Sequence, residues 1–146
     1  MKVEVKGIDK ALRNINAYTD KKERQVRTET RIAAINVDRN TKNRLASQIG
    51  FSLGRLITSY HTRHSHTPIY SDVYSNLFYA PFVEFGTGSN VFESNEYEFT
   101  AEERQYAKQF QRGPGRNAPA NPTLMPSWAE ERSKYIKRVT ESLRRL

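Results

Sequence analysis

Residues 21–49 read KKERQVRTETRIAAINVDRNTKNRLASQI, and the spacing of their small and β-branched side chains decides the first architectural question. Val26, Thr30, Ala33, Val37, Thr41, Leu45 and Ile49 recur at intervals of three and four, which lines one face of an α-helix and does not fit the alternation of a strand. A helix of about 25 residues is expected here, with Asp20 as N-cap, Glu23 at its N3 position and Gly50 as its stop. The stripe is narrow and rich in Ala and Thr, so the helix should lie close against a sheet and turn its Arg and Lys outward.

Working outward toward the N-terminus, Ile8, Leu12 and Ile15 fall at i, i+4 and i+7 and predict a short amphipathic helix, separated from the long one by a polar break at Thr19-Asp20. Before it, Val3 and Val5 alternate with charges as in an edge strand, and Gly7 breaks the run. On the other side, Ser52 to Ile57 reads as a turn around Gly54 followed by an apolar stretch entering a strand. Tyr60 to His66 and Thr67 to Asn76 are expected to pair as hairpin strands, with Ile69, Val73 and Tyr74 as β-favouring residues. In Tyr79 to Gly88, Tyr79, Pro81, Val83 and Phe85 share one parity, but the internal proline favours an edge or a helical turn over a central strand.

Every charged residue from Glu93 to Glu103 is acidic, and Thr100-Ala101-Glu102-Glu103 fits a capping box opening a short helix. Gly113-Pro114-Gly115 ends it, and Pro119, Pro122 and Pro126 keep the next stretch extended. A final helix is expected from Pro126 or Ser127 to Leu146, with Trp128, Tyr135, Ile136, Val139 and Leu143 largely on one face and Arg144 and Arg145 complementing its dipole. The expected fold is α+β: a small antiparallel β-sheet of about four strands packed by a long N-terminal helix and a C-terminal helix. Residues 1–146 form a single domain in this reading, with an extended loop at about 89–126 that is too long for a plain connector.

Composition excludes several function classes. A chain of 146 residues with 24 Lys+Arg, 16 Asp+Glu and no Cys has a net charge of +8, and the missing Cys removes disulfides, thiolate nucleophiles and Cys-based zinc sites together. No run approaches the roughly 18 apolar residues of a membrane span and no signal-peptide core opens the chain, so a soluble protein without membrane partners is expected. Charge is laid out in blocks: 13 Lys+Arg against 6 Asp+Glu in residues 1–60, 3 against 7 in 61–110, and 8 against 3 in 111–146. That basic, acidic, basic order differs from the uniform stripe of a duplex-binding module and suits head-to-tail contact between copies.

Chemistry-bearing constellations are sparse. His61, His64 and His66 are the only histidines; on a strand the last two share a face while the first points away, and an exposed polar hairpin is the plainer reading than a metal site with Asp72. Gly86-Thr87-Gly88 lacks the glycine and lysine that phosphate-binding loops require, and no nucleophile elbow or catalytic carboxylate pair is evident, so no enzyme activity, cofactor or metal is expected. The basic helix itself, through Lys21, Lys22, Arg24, Arg27, Arg31, Arg39, Lys42 and Arg44, could face phosphates without reading sequence, with Lys21, Arg24, Arg27 and Arg31 the candidates to line a DNA channel. Asp20, Glu23, Glu29 and Asp38 interrupt that run.

The most specific element is Tyr79-Ala80-Pro81-Phe82-Val83-Glu84-Phe85-Gly86-Thr87-Gly88, which resembles the signature segment of a family of tailed-bacteriophage neck and tail-completion proteins. The opening Val3-Glu4-Val5-Lys6-Gly7-Ile8, the basic helix over 21–48, Leu53-Gly54-Arg55-Leu56 followed by Ser59-Tyr60, and Asn121-Pro122-Thr123-Leu124-Met125-Pro126-Ser127-Trp128 resemble that family's other segments in order. The resemblance spans nearly the whole chain. Leu53 stands where the family usually has Thr, and the link from Ser89 to Ala118 is longer than is typical.

The resemblance implies a virion structural protein, assembled in the host cytoplasm, that forms a hexameric or larger ring in the neck and joins the head-completion ring to the tail. The tail terminator ring that caps the tail tube is the nearest alternative, and a sequence-independent DNA-binding protein is the second. Implied partners are further copies of the chain, the head-completion and tail-terminator or tail-tube proteins, and non-specific contact with genomic DNA in the channel. Arg55, Tyr79, Phe82, Glu84, Phe85, Gly86, Tyr97 and Phe99 are then the expected subunit-interface residues. An unpaired buried carboxylate is costly, so Glu84 is expected to pair with Arg55 and fix the signature segment for subunit contact. The loop from 89 to 126 is expected to reach a neighbour as an arm that orders in the ring.

Overall fold

A computed structural model describes residues 8–48, 54–67, 69–88, 91–92, 94, 96–110 and 117–145. The elements are α1 (Ile8–Ser47), α2 (Gly54–Ser59), β1 (Tyr60–His66), β2 (Ile69–Ser75), α3 (Ala80–Phe85), α4 (Ala101–Ala107), which runs into a 3-10 turn at Lys108–Phe110, and α5 (Leu124–Arg144). The architecture is mixed α+β, with a long N-terminal helix, a two-stranded antiparallel sheet and a C-terminal helix. The expected strand at Val3–Val5 and the stop at Gly50 lie outside the described residues.

Three expectations are corrected. First, α1 is one helix of 40 residues with no break at Thr19-Asp20, so Asp20 lies inside it and is not an N-cap. No Gly or Pro occurs between Ile8 and Ser47, and its threonines satisfy themselves locally. The hydroxyls of Thr19, Thr28, Thr30 and Thr41 donate to the carbonyls of Ile15, Arg24, Val26 and Val37 at 2.8–3.0 Å, which keeps a polar residue compatible with helix. Second, the apolar stretch before the hairpin is the helix α2 and not the start of a strand. Leu56 and Ser59 are buried there, three residues apart on one face of the helix, and Thr58 and Ser59 return their hydroxyls to Gly54 and Leu56. Third, the described residues contain two strands and not about four.

The hairpin itself forms as expected, with Tyr60 opposite Ser75 and His66 opposite Ile69. Its outward face carries the Arg63–Asp72 ion pair at 2.5 Å and the His61–Tyr74 ring contact at 6.0 Å. Its inward residues, Tyr60 and Val73 among them, join a core with Leu45, Leu56, Ala80 and Leu124. Helix α5 runs antiparallel to α1, as the partners show: Thr30 Oγ1 meets Tyr135 Oη at 3.1 Å, Asn36 donates to Glu131 at 3.1 Å, and Arg44 pairs with Glu130 at 3.1 Å.

Between these helices Arg138 bridges two carboxylates, Glu29 at 2.8 Å and the buried Glu131 at 2.7 Å. Burial works against the Arg138 cation, but the two carboxylates outweigh it and hold the guanidinium's pKa above its ordinary value. At the far end, buried Lys22 donates from Nζ to the carbonyl oxygens of Ser142, at 2.6 Å, and Arg145. A cation among the last carbonyls of α5 satisfies acceptors that the helix leaves open and complements its dipole.

Candidate assembly surface

The segment that the sequence singles out is an internal clasp. Pro81 sits at the start of α3, where its fixed φ and missing N–H cost nothing. The chain leaves α3 through Gly86 at φ 79°, in the left-handed region that glycine adopts without strain. Gly88, at φ 61°, packs so closely on Asn117 that a Cβ there would run into its side chain. From Val83 onward the segment is laced to residues 118–125. Asn121 N donates to Val83 O at 2.8 Å, Thr87 N to Ala118 O at 2.9 Å, and Ala118 N to Thr87 Oγ1 at 3.0 Å. Gln48 and Asn121 exchange side-chain amide bonds at 2.5 and 2.7 Å, which ties the end of α1 to the same seam.

Glu84 is the centre of this clasp. It is 4% exposed and accepts the backbone N–H groups of Thr123 at 2.9 Å, Leu124 at 3.1 Å and Met125 at 2.8 Å, along with the Thr123 hydroxyl at 3.2 Å. These donors are the open N–H groups at the start of α5, so a carboxylate from another element caps that helix. The expected Glu84–Arg55 pair is therefore wrong: Arg55 is exposed on α2, and the partners of Glu84 are backbone donors, not a cation. Burial pushes the Glu84 carboxyl above its usual range, and the donors of Met125, Thr123 and Leu124 draw it part of the way back. Neighbouring Tyr60 is pushed well above the ordinary phenol range, by its own burial and then by the Glu84 charge.

The other expected interface residues divide by burial. Phe85 and Phe99 are buried and pack against each other within the chain, their rings tilted and centroids 5.5 Å apart, with Phe92, Tyr106 and Phe110 around Phe85. Glu84, Phe85, Gly86 and Phe99 are thus core groups of the protomer and offer no side chain to a neighbour, a correction to their expected role. Tyr79, Phe82 and Tyr97 are half-buried. The Tyr97 hydroxyl donates to Glu103 Oε1 at 2.8 Å. Arg55 is open to solvent.

The described parts of the 89–126 loop fold back as well, which corrects the free-arm expectation for them. Phe92, Tyr97, Phe99, Ala107, Phe110 and Ala120 gather on Phe85. The Thr100 capping box of α4 forms as expected, with Glu103 N donating to Thr100 Oγ1 at 3.2 Å and Thr100 N to Glu103 Oε2 at 2.8 Å. No group of three metal-ligating side chains converges among the described residues; His64 Nδ1 instead meets Ser71 Oγ at 2.8 Å.

The surface left over is apolar and basic. Leu12, Ile15 and Tyr18 are exposed on the first turns of α1, and Trp128, Ile136 and Leu143 on α5. Phe78, just ahead of the clasp, is 84% exposed. A groove of about 500 Å³ lies between α1, β2 and α5, floored by Ala33, Ala34 and Val37 and walled by Ile69, Val73 and Trp128. A second concavity, of about 670 Å³, shares Met125 and Trp128 with it and is bordered by Glu102, Glu103 and Arg132. Of the expected channel cations, Lys21, Arg24 and Arg31 are exposed, while Arg27 is half-buried.

The expectation that Lys22 could face phosphates is corrected by its burial against the end of α5, and sequence reasoning missed the groove and the exposed Phe78. Lys22 had a signal, since it extends the Val26–Thr30 stripe back by four residues and so sits on the buried face. Comparison of the chain with protein-family models, with curated proteins and with solved structures finds no match. No described helix is long and apolar enough to cross a membrane.

Proposed function

We propose that this chain is a ring-forming structural subunit of the neck of a tailed bacteriophage, placed between the head-completion ring and the tail, with assembly and not turnover as its mechanism. The observation that carries the reading is an imbalance between core and surface. Among the described residues, five of the eleven buried hydrophobics are alanines, while twelve large hydrophobic side chains are exposed. A chain so arranged gains most of its remaining apolar burial by association, and cyclic association needs two different surfaces on each copy. The clasp supports the reading in a second way. By fixing α5 against α3 it makes a rigid block of the segment that resembles the neck family's signature, which suits a part that must present the same faces in every copy.

Light scattering of the purified protein over a range of concentration and salt, alone and with purified tails, tests this. The expected result is a discrete ring-sized mass, either alone or on tails. A monomer that ignores tails overturns it.

A second reading has one specific observation in its favour. Lys21, Arg24 and Arg31 stand exposed on the side of α1 turned away from α5, where they could meet phosphates in a channel or act as a DNA-binding surface in their own right. Duplex binding that weakens steeply with salt and is lost in a triple alanine variant at these positions, by a protein that stays monomeric, would favour it.

A further inference from the structure

The first turns of α1 extend beyond the last turn of α5. Lys22 lies against the terminal carbonyls of α5, so the turns before it, from Ile8, project about 20 Å past that end at 1.5 Å per residue. Leu12 and Ile15 are 53% and 59% exposed. They fall on the same face as Val26, Thr30, Ala33 and Val37, because eleven residues make three turns and Ile15 stands over Val26. The face of α1 that α5 covers is therefore continued, apolar and uncovered, by Leu12, Ile15 and the flanking Tyr18.

Elsewhere on the same chain is an open apolar groove whose floor is small. Ala33 and Ala34, 4% and 5% exposed, lie at its bottom and leave depth for apolar side chains entering from outside, and Trp128 stands on the wall at 40% exposure. Its extension past Met125 and Trp128 is bordered by Glu102, Glu103 and Arg132, a net charge of −1, whereas the projecting turns before Lys22 carry Lys10, Arg13 and Lys21 against Asp9 and Asp20, a net charge of +1. An apolar, net-basic helix end and an apolar groove with an acidic mouth are complementary, with anchors spaced for a helix lying in a groove.

We infer that residues 8–19 of one copy dock in the α1–β2–α5 groove of the next. The occupant is a second copy of this chain, and the contact is heterologous, helix end to groove. One contact of this kind covers both uncovered surfaces at once, and repetition propagates it around a ring. The inference rests on the self-assembly reading above and names the surfaces that make it.

The test uses the full chain, whose lack of cysteine leaves every introduced thiol unambiguous. Ile15→Cys and Ile69→Cys chains, mixed and oxidised, are expected to form a disulfide dimer containing one of each. Predominant Ile15→Cys homodimers would mean that projecting helices meet each other, and overturn the inference. So would a failure of the mixed cross-link, whether the chains assemble or stay monomeric.

Trp128 is the only tryptophan, so its emission should shift to shorter wavelength with rising concentration. A Leu12→Glu/Ile15→Glu double variant should abolish that shift and weaken association at least tenfold. Both positions are exposed, so its melting as a monomer should match wild type, and a double variant that folds normally yet still associates would refute the docking. Mass separates this inference from the ring. A mixed cross-link in a species that grows without limit as concentration rises would keep the docking and remove the closed ring.

Discussion

Replacing Glu84 isolates what the clasp contributes. Its two carboxylate oxygens divide four donors: Oε1 takes Met125 N–H, and Oε2 takes Thr123 N–H, the Thr123 hydroxyl and Leu124 N–H. Glu84→Gln keeps the volume but supplies one oxygen. With that oxygen on the Thr123 side, the amide NH2 faces Met125 N–H, donor against donor. One buried unsatisfied donor costs about 1–3 kcal/mol, which for a domain of this size lowers Tm by roughly 3–10 °C. Glu84→Ala frees all four donors and should cost more, about 3 kcal/mol or above. Thermal and urea unfolding followed by circular dichroism measure both. Equal stability of wild type and Glu84→Gln would refute the reasoning.

The pH dependence of the same pair gives a second readout, because burial raises the Glu84 pKa in the folded chain above its ordinary 4.5. The folded state then holds that proton more tightly than the unfolded state does. The contribution is fully present below the ordinary carboxylate range and is lost as pH rises through the folded pKa. Wild-type stability should therefore fall as pH rises through that folded pKa, a slope that Glu84→Gln, which cannot ionise, should lack. A wild-type slope of the opposite sign, relative to Glu84→Gln, would mark a depressed pKa and a net-favoured carboxylate.

Two further substitutions probe the frame around the clasp. Lys22→Met keeps the buried stem but removes the donor to the Ser142 and Arg145 carbonyls; it should destabilise by about 1–2 kcal/mol, with amide exchange accelerated first in the last turn of α5. Gly88→Ala combines a positive φ with a collision against Asn117 and should cost about 1–2 kcal/mol or more, whereas Gly54→Ala meets open space and should be near neutral in the same unfolding assay.

The sequence made the periodic elements legible and hid their continuity. The hairpin, the Thr100 capping box and α5 could be read because each has a local signature: alternation, a reciprocal side-chain pattern, and an apolar face behind prolines. The two stripes of α1 were legible singly, but the polar run at Thr19-Asp20-Lys21-Lys22-Glu23 concealed that they are in phase. Their register, Ile15 three turns before Val26, was the better guide than local polarity, since threonine and charge are tolerated on an exposed helix face and only Gly or Pro would have forced a stop. The strand expected at Leu56-Ile57 failed for a related reason. A short apolar run carries no period of its own, and burial of Leu56 and Ser59 on one face of α2 decided it.

The partner of Glu84 was illegible because it is a set of backbone groups. Sequence reasoning pairs a buried carboxylate with a cation, since side chains are what a sequence displays, and Arg55 was the nearest candidate. A helix N-terminus offers the same compensation without any residue type to announce it, and Thr123-Leu124-Met125 behind Pro122 marks where that terminus falls. The consequence reaches the assembly question. A carboxylate consumed in capping α5 is not available to a neighbour, so specificity between copies has to come from what the clasp leaves outside: the projecting turns of α1, the groove beside Trp128, and the aromatic and basic groups around them. The signature segment then acts on assembly indirectly, by holding α5 and the wall of that groove in place, and a change at Glu84 should weaken association only to the extent that it loosens α5.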